Sequence, residues 1–337
     1  MDMGNTVSLS VDRSDDEVIA KIKKHLLVEC VQQLSSDVVM IRFVRQDGQA
    51  LPEWAPGDHI DIEFQAGLTR QYSLCGPRPD TNGWSVAVRL DPESTGGSSY
   101  AHSRVREGDT FRVVGPKRRF PLEHADHHVF IAGGIGITPI MSMAEQLASE
   151  GRAFELSYFD RSEKRTIFAE RLKALGGRTR VVDRATEPDV TLSQVTQNLP
   201  SNALVYACGP KRMISELREI IGPDRLRTED FRPEPTPGNG GQSGRAVVDQ
   251  EFEVQLGVGG EIHPVSAGCS LLDVLLKAGV DVMWSCREGN CASCETTVLV
   301  GAPDHRDVIL TGEERTAGDV MFPCVSRSLS PRLVLDV

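Results

Sequence analysis

The chain has 337 residues, 39% of them hydrophobic and 25% charged, with a formal net charge of −11. A chain of this size carries more than one hydrophobic core, and the acidic balance argues against nucleic acid as a partner. No apolar run reaches the length of a membrane span and no hydrophobic signal segment opens the chain, so a cytoplasmic setting without a membrane partner is expected.

Residues 1–24 are polar and charged with no packing face, and a disordered leader is expected there. Residues 25–123 follow as short strand-like runs broken by turn residues, among them Val38–Val44, His59–Phe64 and Trp84–Leu90. Regular short strands of this kind predict an antiparallel barrel or sandwich. Residues 124–231 change texture, with strands alternating with helices: Val129–Ala132, a glycine-rich turn, a helix over Pro139–Glu150, then buried strands at Phe154–Phe159 and Ala203–Ala207. That alternation predicts a doubly wound parallel sheet. Residues 232–246 hold three prolines and then four glycines with Asn, Gln and Ser. Such a stretch cannot bury a core and reads as a linker. Beyond it, residues 247–337 begin with the strand Phe252–Leu256 and a helix that Ser270 caps, ending near Gly279. This last segment has 14 acidic against 6 basic residues, a net −8. It reads either as a solvated surface or as a docking face for a basic protein.

Within the second region, Gly133, Gly134, Gly136, Thr138 and Pro139 follow a strand and open a helix. Glycines let backbone approach a pyrophosphate, and a helix start supplies N–H donors. Thr138 is the expected N-cap and Pro139 the first helical residue. Asp160 ends the next strand, where it can bond ribose hydroxyls and favour NADH, while Arg161, Lys164 and Arg165 could serve the 2′-phosphate of NADPH. Arg70 can fork onto a phosphate.

Eight cysteines are present, and a reducing compartment turns the clustered four toward metal. Cys286, Cys291 and Cys294 are spaced C-x4-C-x2-C, with Cys324 after 29 further residues. That is the spacing of plant-type [2Fe-2S] ferredoxins. Gly289, Ala292 and Ser293 are small enough to let the loop wrap a cluster. Zinc is the alternative, although its ligands usually come as two close doublets. Cys30, Cys75 and Cys269 read as packing residues.

The segments Ser285–Cys294, Asp304–Asp307, Cys324–Arg327 and Leu333–Asp336 resemble the ferredoxin end of the phthalate dioxygenase reductase family, which includes vanillate O-demethylase reductases. Arg70, Tyr72, Ser73 and Leu74 match the R-x-Y-S motif of ferredoxin-reductase-like flavin domains, and Gly97, Ser98 and His102 its Gly-Gly-Ser-x-x-x-His stretch, where the phosphate is held. Ser94 and Thr95 stand where relatives carry Gly-Arg, which leaves more of the phosphate's charge to Arg70. The basic run Lys117-Arg118-Arg119 resembles a family turn and reads as solvated, or as contacting a phosphate or the ferredoxin domain. Gly133–Pro139 is similar to the family's Gly-Gly-x-Gly-x-Thr-Pro loop, and Cys208-Gly209-Pro210 to its Cys-Gly-Pro, with the cysteine near nicotinamide C4. Phe231 resembles the aromatic that stacks on the flavin.

The resemblance implies a flavin-binding β-barrel, an α/β NAD domain and a C-terminal β-grasp ferredoxin. It implies FMN (FAD the alternative), NADH (NADPH the alternative) and one [2Fe-2S] cluster. Ser73 is then placed to bond flavin N5 and Cys208 to orient nicotinamide. The implied activity is that of a monomeric reductase passing hydride to flavin and single electrons through the cluster to a transiently docked terminal oxygenase. A reductase for a haem monooxygenase, a free-standing diaphorase and a non-enzymatic redox sensor are the rival readings.

Overall fold

The computed structural model describes residues 22–77, 80, 82–92, 96–160, 167–229, 249–289 and 291–337. Residues 1–21 of the expected leader, the whole expected linker, Phe231 and the basic residues Arg161, Lys164 and Arg165 lie outside them.

The first sheet comprises β1 (Ile22–Ser35), β2 (Val38–Val44), β3 (Asp58–Glu63), β4 (Thr69–Ser73), β5 (Trp84–Arg89) and β6 (Thr110–Arg118). Its order is β4-β3-β6-β1-β2-β5, with every neighbouring pair antiparallel. Leu74, just past β4, bridges Val86 in β5, so the two edges meet and the sheet curls toward a barrel rather than opening as a sandwich. The leader expected over residues 1–24 ends earlier than anticipated. Ile22, Lys23 and Lys24 already pair with Gly115, Val114 and Val113, because a strand partner satisfies backbone groups whatever the side chains look like. Helix α1 (Gly97–Ser103) follows β5, and His102 donates from Nε2 to the Val88 carbonyl (2.9 Å), fastening the helix to that strand.

The second sheet is parallel throughout. It contains β7 (His127–Gly133), β8 (Phe154–Asp160), β9 (Thr179–Asp183), β10 (Ala203–Cys208) and β11 (Leu226–Glu229) in the order β11-β10-β7-β8-β9. Helices α2 (Ile137–Ser149), α3 (Ala169–Ala174), α4 (Leu192–Thr196) and α5 (Lys211–Ile221) lie along the connections. β10 is buried at all six positions, as expected of a strand covered on both faces.

The third unit holds β12 (Phe252–Leu256), β13 (Ile262–Val265), α6 (Leu271–Lys277), β14 (Thr296–Val300), β15 (Pro303–Asp304), α7 (Gly312–Ala317), β16 (Val320–Met321), β17 (Arg327–Ser328) and β18 (Arg332–Leu335). The main sheet runs β13-β12-β18-β14-β16, with β12 and β18 parallel at its centre. Leu271 and Leu275 of α6 pack into the same core as Phe252, Val254 and Leu333, the arrangement of a β-grasp. Ser270 caps α6 as the sequence indicates, its hydroxyl accepting the Asp273 N–H.

The three units are joined by two different kinds of contact. Val38, Cys75, Ala87 and Phe120 of the barrel share one apolar core with Phe130, Ile140, Tyr158 and Cys208 of the parallel sheet. The ferredoxin unit meets the barrel through polar groups instead. His59 and Asp61 of β3, Gln71 of β4 and Lys117 of β6 project from one outer face. A strand reading His-Ile-Asp-Ile should expose its polar side, yet Asp61 is fully buried and Lys117 is 3% exposed. Lys117 Nζ lies 2.9 Å from Asp61 Oδ2 and donates to the carbonyl of Ala292, also at 2.9 Å. The basic run is thus not a solvated turn: Lys117 is buried, Arg118 meets Asp58 and Arg119 meets Glu295.

Removing one partner of a buried ion pair strands the other charge in low dielectric. Lys117→Met is expected to lower stability by about 3–5 kcal/mol, and Asp61→Leu combined with it should recover most of that loss. Urea unfolding of the single and double variants checks the ordering.

Candidate functional site

Three chemical stations converge from these elements. At the barrel, Arg70, Tyr72 and Ser73 occupy β4, and Gly97 opens α1 beside them. A Cβ on Gly97 would sit 2.4 Å from Arg70 Cγ, so only glycine lets the arginine lie across this turn. Ser98 accepts the Asp91 N–H at 3.1 Å, which fixes its hydroxyl at the same turn. Tyr72 is pushed well above the usual phenol range by burial, which makes it a neutral aromatic wall, and it meets Phe64 edge to face at 6.1 Å. An arginine, a glycine cradle and a half-buried aromatic suit a flavin phosphate and ring. Leu74 is fully buried and belongs to the barrel core.

The glycines of the second station do a job the sequence reading did not assign. A Cβ on Gly136 would lie 2.2 Å from the Cys208 carbonyl oxygen, and one on Gly133 2.6 Å from Pro210 Cδ. A Cβ on Gly209 would in turn meet Gly133 Cα at 2.9 Å. The two loops at the carboxyl ends of β7 and β10 thus pack backbone to backbone, leaving no room for side chains. The helix start also differs from expectation. α2 begins at Ile137 with Gly136 as its N-cap, and Thr138 donates to the Ile135 carbonyl at 3.0 Å instead of capping. Pro139 is third in the helix, where its missing N–H still has no intrahelical acceptor to lose.

These loops floor a cleft of about 880 Å³ lined by Arg89, Gly134, Phe159, Asp160, Arg184 and Pro210, among others. It opens at the carboxyl ends of the parallel strands, where ligands of such sheets bind. Asp160 is 4% exposed, its carboxylate taken by the Tyr158 hydroxyl (2.9 Å) and faced by Arg89 (3.7 Å). It lines the cleft as expected, but with its charge already shared.

Between barrel and parallel sheet, Ser73 Oγ donates to Glu229 Oε2 at 3.2 Å. Burial pushes the Glu229 carboxyl up to about 8 against the pull of the Ser73 hydroxyl. No spacing rule in the sequence links Glu229 to Ser73, 156 residues away. Cys208 ends β10 fully buried, and Cys75 is a core thiol raised to about 12 by burial.

The third station is the loop of Cys286, Cys291 and Cys294. Arg287, Gly289 and Ala292 take left-handed conformations, and a Cβ on Gly289 would meet Val325 Cγ2 at 2.6 Å. The loop is wound tightly, as its small residues predicted. The Glu288 N–H points to Cys286 Sγ at 3.3 Å and the Cys286 N–H to Cys291 Sγ at 3.5 Å, the donor pattern a charged sulfur needs. Cys291 is linked to Cys286, and Cys324 to both Cys286 and Cys294, so the four thiols face one another. Among the described residues, no three His, Cys, Asp or Glu side chains close on one mononuclear ion. All eight cysteines are free thiols. Acids around the loop are largely matched by cations: Asp273 with Arg287, Asp304 with Arg306, and Asp307 with Arg315. Among the described residues no helix is long and apolar enough to cross a membrane.

Comparison with known proteins agrees with this division. Residues 255–329 match a 2Fe-2S iron-sulfur cluster binding domain and residues 130–219 an oxidoreductase NAD-binding domain. The chain is 35% identical to a phenoxybenzoate dioxygenase subunit beta of Ectopseudomonas oleovorans, across 93% of this chain and 97% of that one. The solved phthalate dioxygenase reductase superposes with a TM-score of 0.63 at 31% identity, covering 94% and 98% of the two chains. An intact type IV self-sufficient cytochrome P450 monooxygenase superposes at 0.75 with 36% identity, and there the chain spans 41% of the larger protein.

Glu229 holds its proton more tightly folded than unfolded, so its contribution to stability is present below about 4.5 and is lost as pH rises through about 8. Glu229→Gln does not titrate. Its thermal midpoint relative to wild type is therefore expected to rise across that interval and level off above it, as melting at graded pH will show.

Proposed function

The chain belongs to the phthalate dioxygenase reductase family, and from that membership we propose that it is the NADH-dependent reductase component of a multicomponent oxygenase or demethylase system. The observation that carries the reading is the junction of all three stations on one strand. β4 holds the flavin residues Arg70 and Tyr72, reaches the parallel sheet through Ser73 and Glu229, and reaches the cysteine loop through Gln71 and the Cys291 carbonyl. A sensor needs no hydride path, and an isolated ferredoxin needs no dinucleotide cleft.

When bound, FMN would supply the chemistry that converts a two-electron hydride donor, NADH, into single electrons for a [2Fe-2S] cluster. The chain's own part is placement. Arg70, Gly97 and Ser98 hold the flavin phosphate, while Tyr72 and Ser73 line its ring and Leu74 supports them from the barrel core. Gly133, Gly134, Gly136, Thr138 and Pro139, with Asp160, Gly209 and Pro210, shape the dinucleotide cleft. Cys208 orients the nicotinamide toward the Ser73 side. Cys286, Cys291, Cys294 and Cys324 ligate the cluster. Domain limits at residues 123, 231 and 246 belong to the same proposal, the last two lying outside the described residues.

Two irons and two sulfides per chain are expected, and Ala at any of the four cysteines should abolish one-electron reduction of cytochrome c while NADH still bleaches the flavin. Stoichiometric zinc would overturn the assignment.

The electron acceptor is a separate oxygenase with a basic docking surface. The net −8 of residues 247–337 supports this, even though several acids beside the loop are internally paired. Surface charges are screened beyond about 8–10 Å at physiological ionic strength, so the oxygenase-coupled rate should fall steeply as salt rises. A flat salt profile, with NADH-to-flavin reduction equally flat, would mean the docking is apolar.

A further inference from the structure

The outer face of β4-β3-β6 carries a polar network that neither the hydride path nor the cysteine ligands require. Asp61 accepts Gln71 Nε2 on one oxygen and Lys117 Nζ on the other, each at 2.9 Å. Gln71 Nε2 also donates to the Cys291 carbonyl and lies 3.3 Å from His59 Nε2. Lys117 donates to the Ala292 carbonyl, and Ser285 Oγ donates to the Thr69 carbonyl (2.9 Å) at the start of β4. Three of these contacts, through Gln71, Lys117 and the Thr69 carbonyl, reach the segment Ser285–Ala292, which contains two of the four proposed ligands.

We propose that Lys117 is the positioning residue that helps seat the cysteine loop on the β4-β3-β6 face and, by holding a positive charge against that loop, biases the cluster toward its reduced form. The inference rests on the cluster reading above. The direction of the field follows from the order of contacts. Lys117 bonds the loop directly, whereas the Asp61 carboxylate is bonded to Lys117 and Gln71 and reaches the loop only through them. The positive end of the pair therefore faces the site that gains charge. Lys117 and Asp61 are out of solvent, so counterions screen this field far less than they screen the acidic surface of the same unit. The cluster takes up one electron originating in NADH, and no bond at Lys117 forms or breaks.

The test is an EPR-monitored redox titration of full-length protein carrying Asp61→Asn with Lys117→Gln, which removes both charges and keeps hydrogen-bonding groups. At the wild-type midpoint the ratio of reduced to oxidised cluster should fall about ten-fold, a shift of about 59 mV for a one-electron couple. In stopped flow, bleaching of the flavin by NADH should match wild type while the following transfer to the cluster slows. Lys117→Arg, which retains the charge, should stay near the wild-type potential. An unmoved potential in an iron-replete double variant overturns the electrostatic role. If that variant cannot assemble its cluster, Gln71→Leu tests the seating through an uncharged contact, and an unchanged flavin-to-cluster rate there overturns it. Wild-type protein without iron would instead remove the underlying cluster reading, a distinct result.

Discussion

Asp61 and Lys117 carry opposite charges with almost no access to water, and each is tolerable there only because of the other. Asp61 lies on β3 at the middle of the barrel wall, and Lys117 lies one strand over on β6. Without a covering domain both could hydrate freely, and the face would be an ordinary exterior. With the ferredoxin unit in place, the ammonium also donates to the Ala292 carbonyl, and the other Asp61 oxygen accepts from Gln71. The pair thereby links where the third unit sits to how its cysteine loop is held.

The other inter-unit boundary is built on different physics. Barrel and parallel sheet share apolar side chains, so separating them would expose hydrophobic surface. Arg171 adds a polar tie, bonding Glu145 with two nitrogens and reaching the carbonyl of Cys75. Hydride transfer needs close and reproducible geometry, which a continuous core supplies. Electron transfer to a loop bound by a few polar contacts asks less of packing and leaves the far side of the loop, around Glu288 and Val308, open to solvent.

Much of the site was legible because its chemistry is local. The cysteine spacing, the Arg-x-Tyr-Ser strand and the glycine turn before α2 each lie within a short stretch, where residue type and backbone conformation constrain one another. The glycines illustrate the limit of such reading. Their presence at Gly133 and Gly136 was evident, but its main cause, contact with Cys208–Pro210, joins segments about 70 residues apart. Thr138 was misplaced as a cap because a short 3-10 turn, Gly134–Gly136, runs directly into α2 and moves the helix start forward.

The sequence by itself indicated three folding units, their order and the cluster and dinucleotide motifs, since periodicity, turn residues and ligand spacing are properties of contiguous chain, while the flavin came from the family resemblance. Only the tertiary structure decided which polar face is buried. His59 and Asp61 alternate with Ile60 and Ile62 just as a solvent-facing row would, and period-two patterning separates the inside of a barrel from its outside without saying what covers the outside. The same holds for Ser73 and Glu229, which meet across two sheets. Burial and partner identity are set by the sum of long-range packing, and that information resides in no single segment.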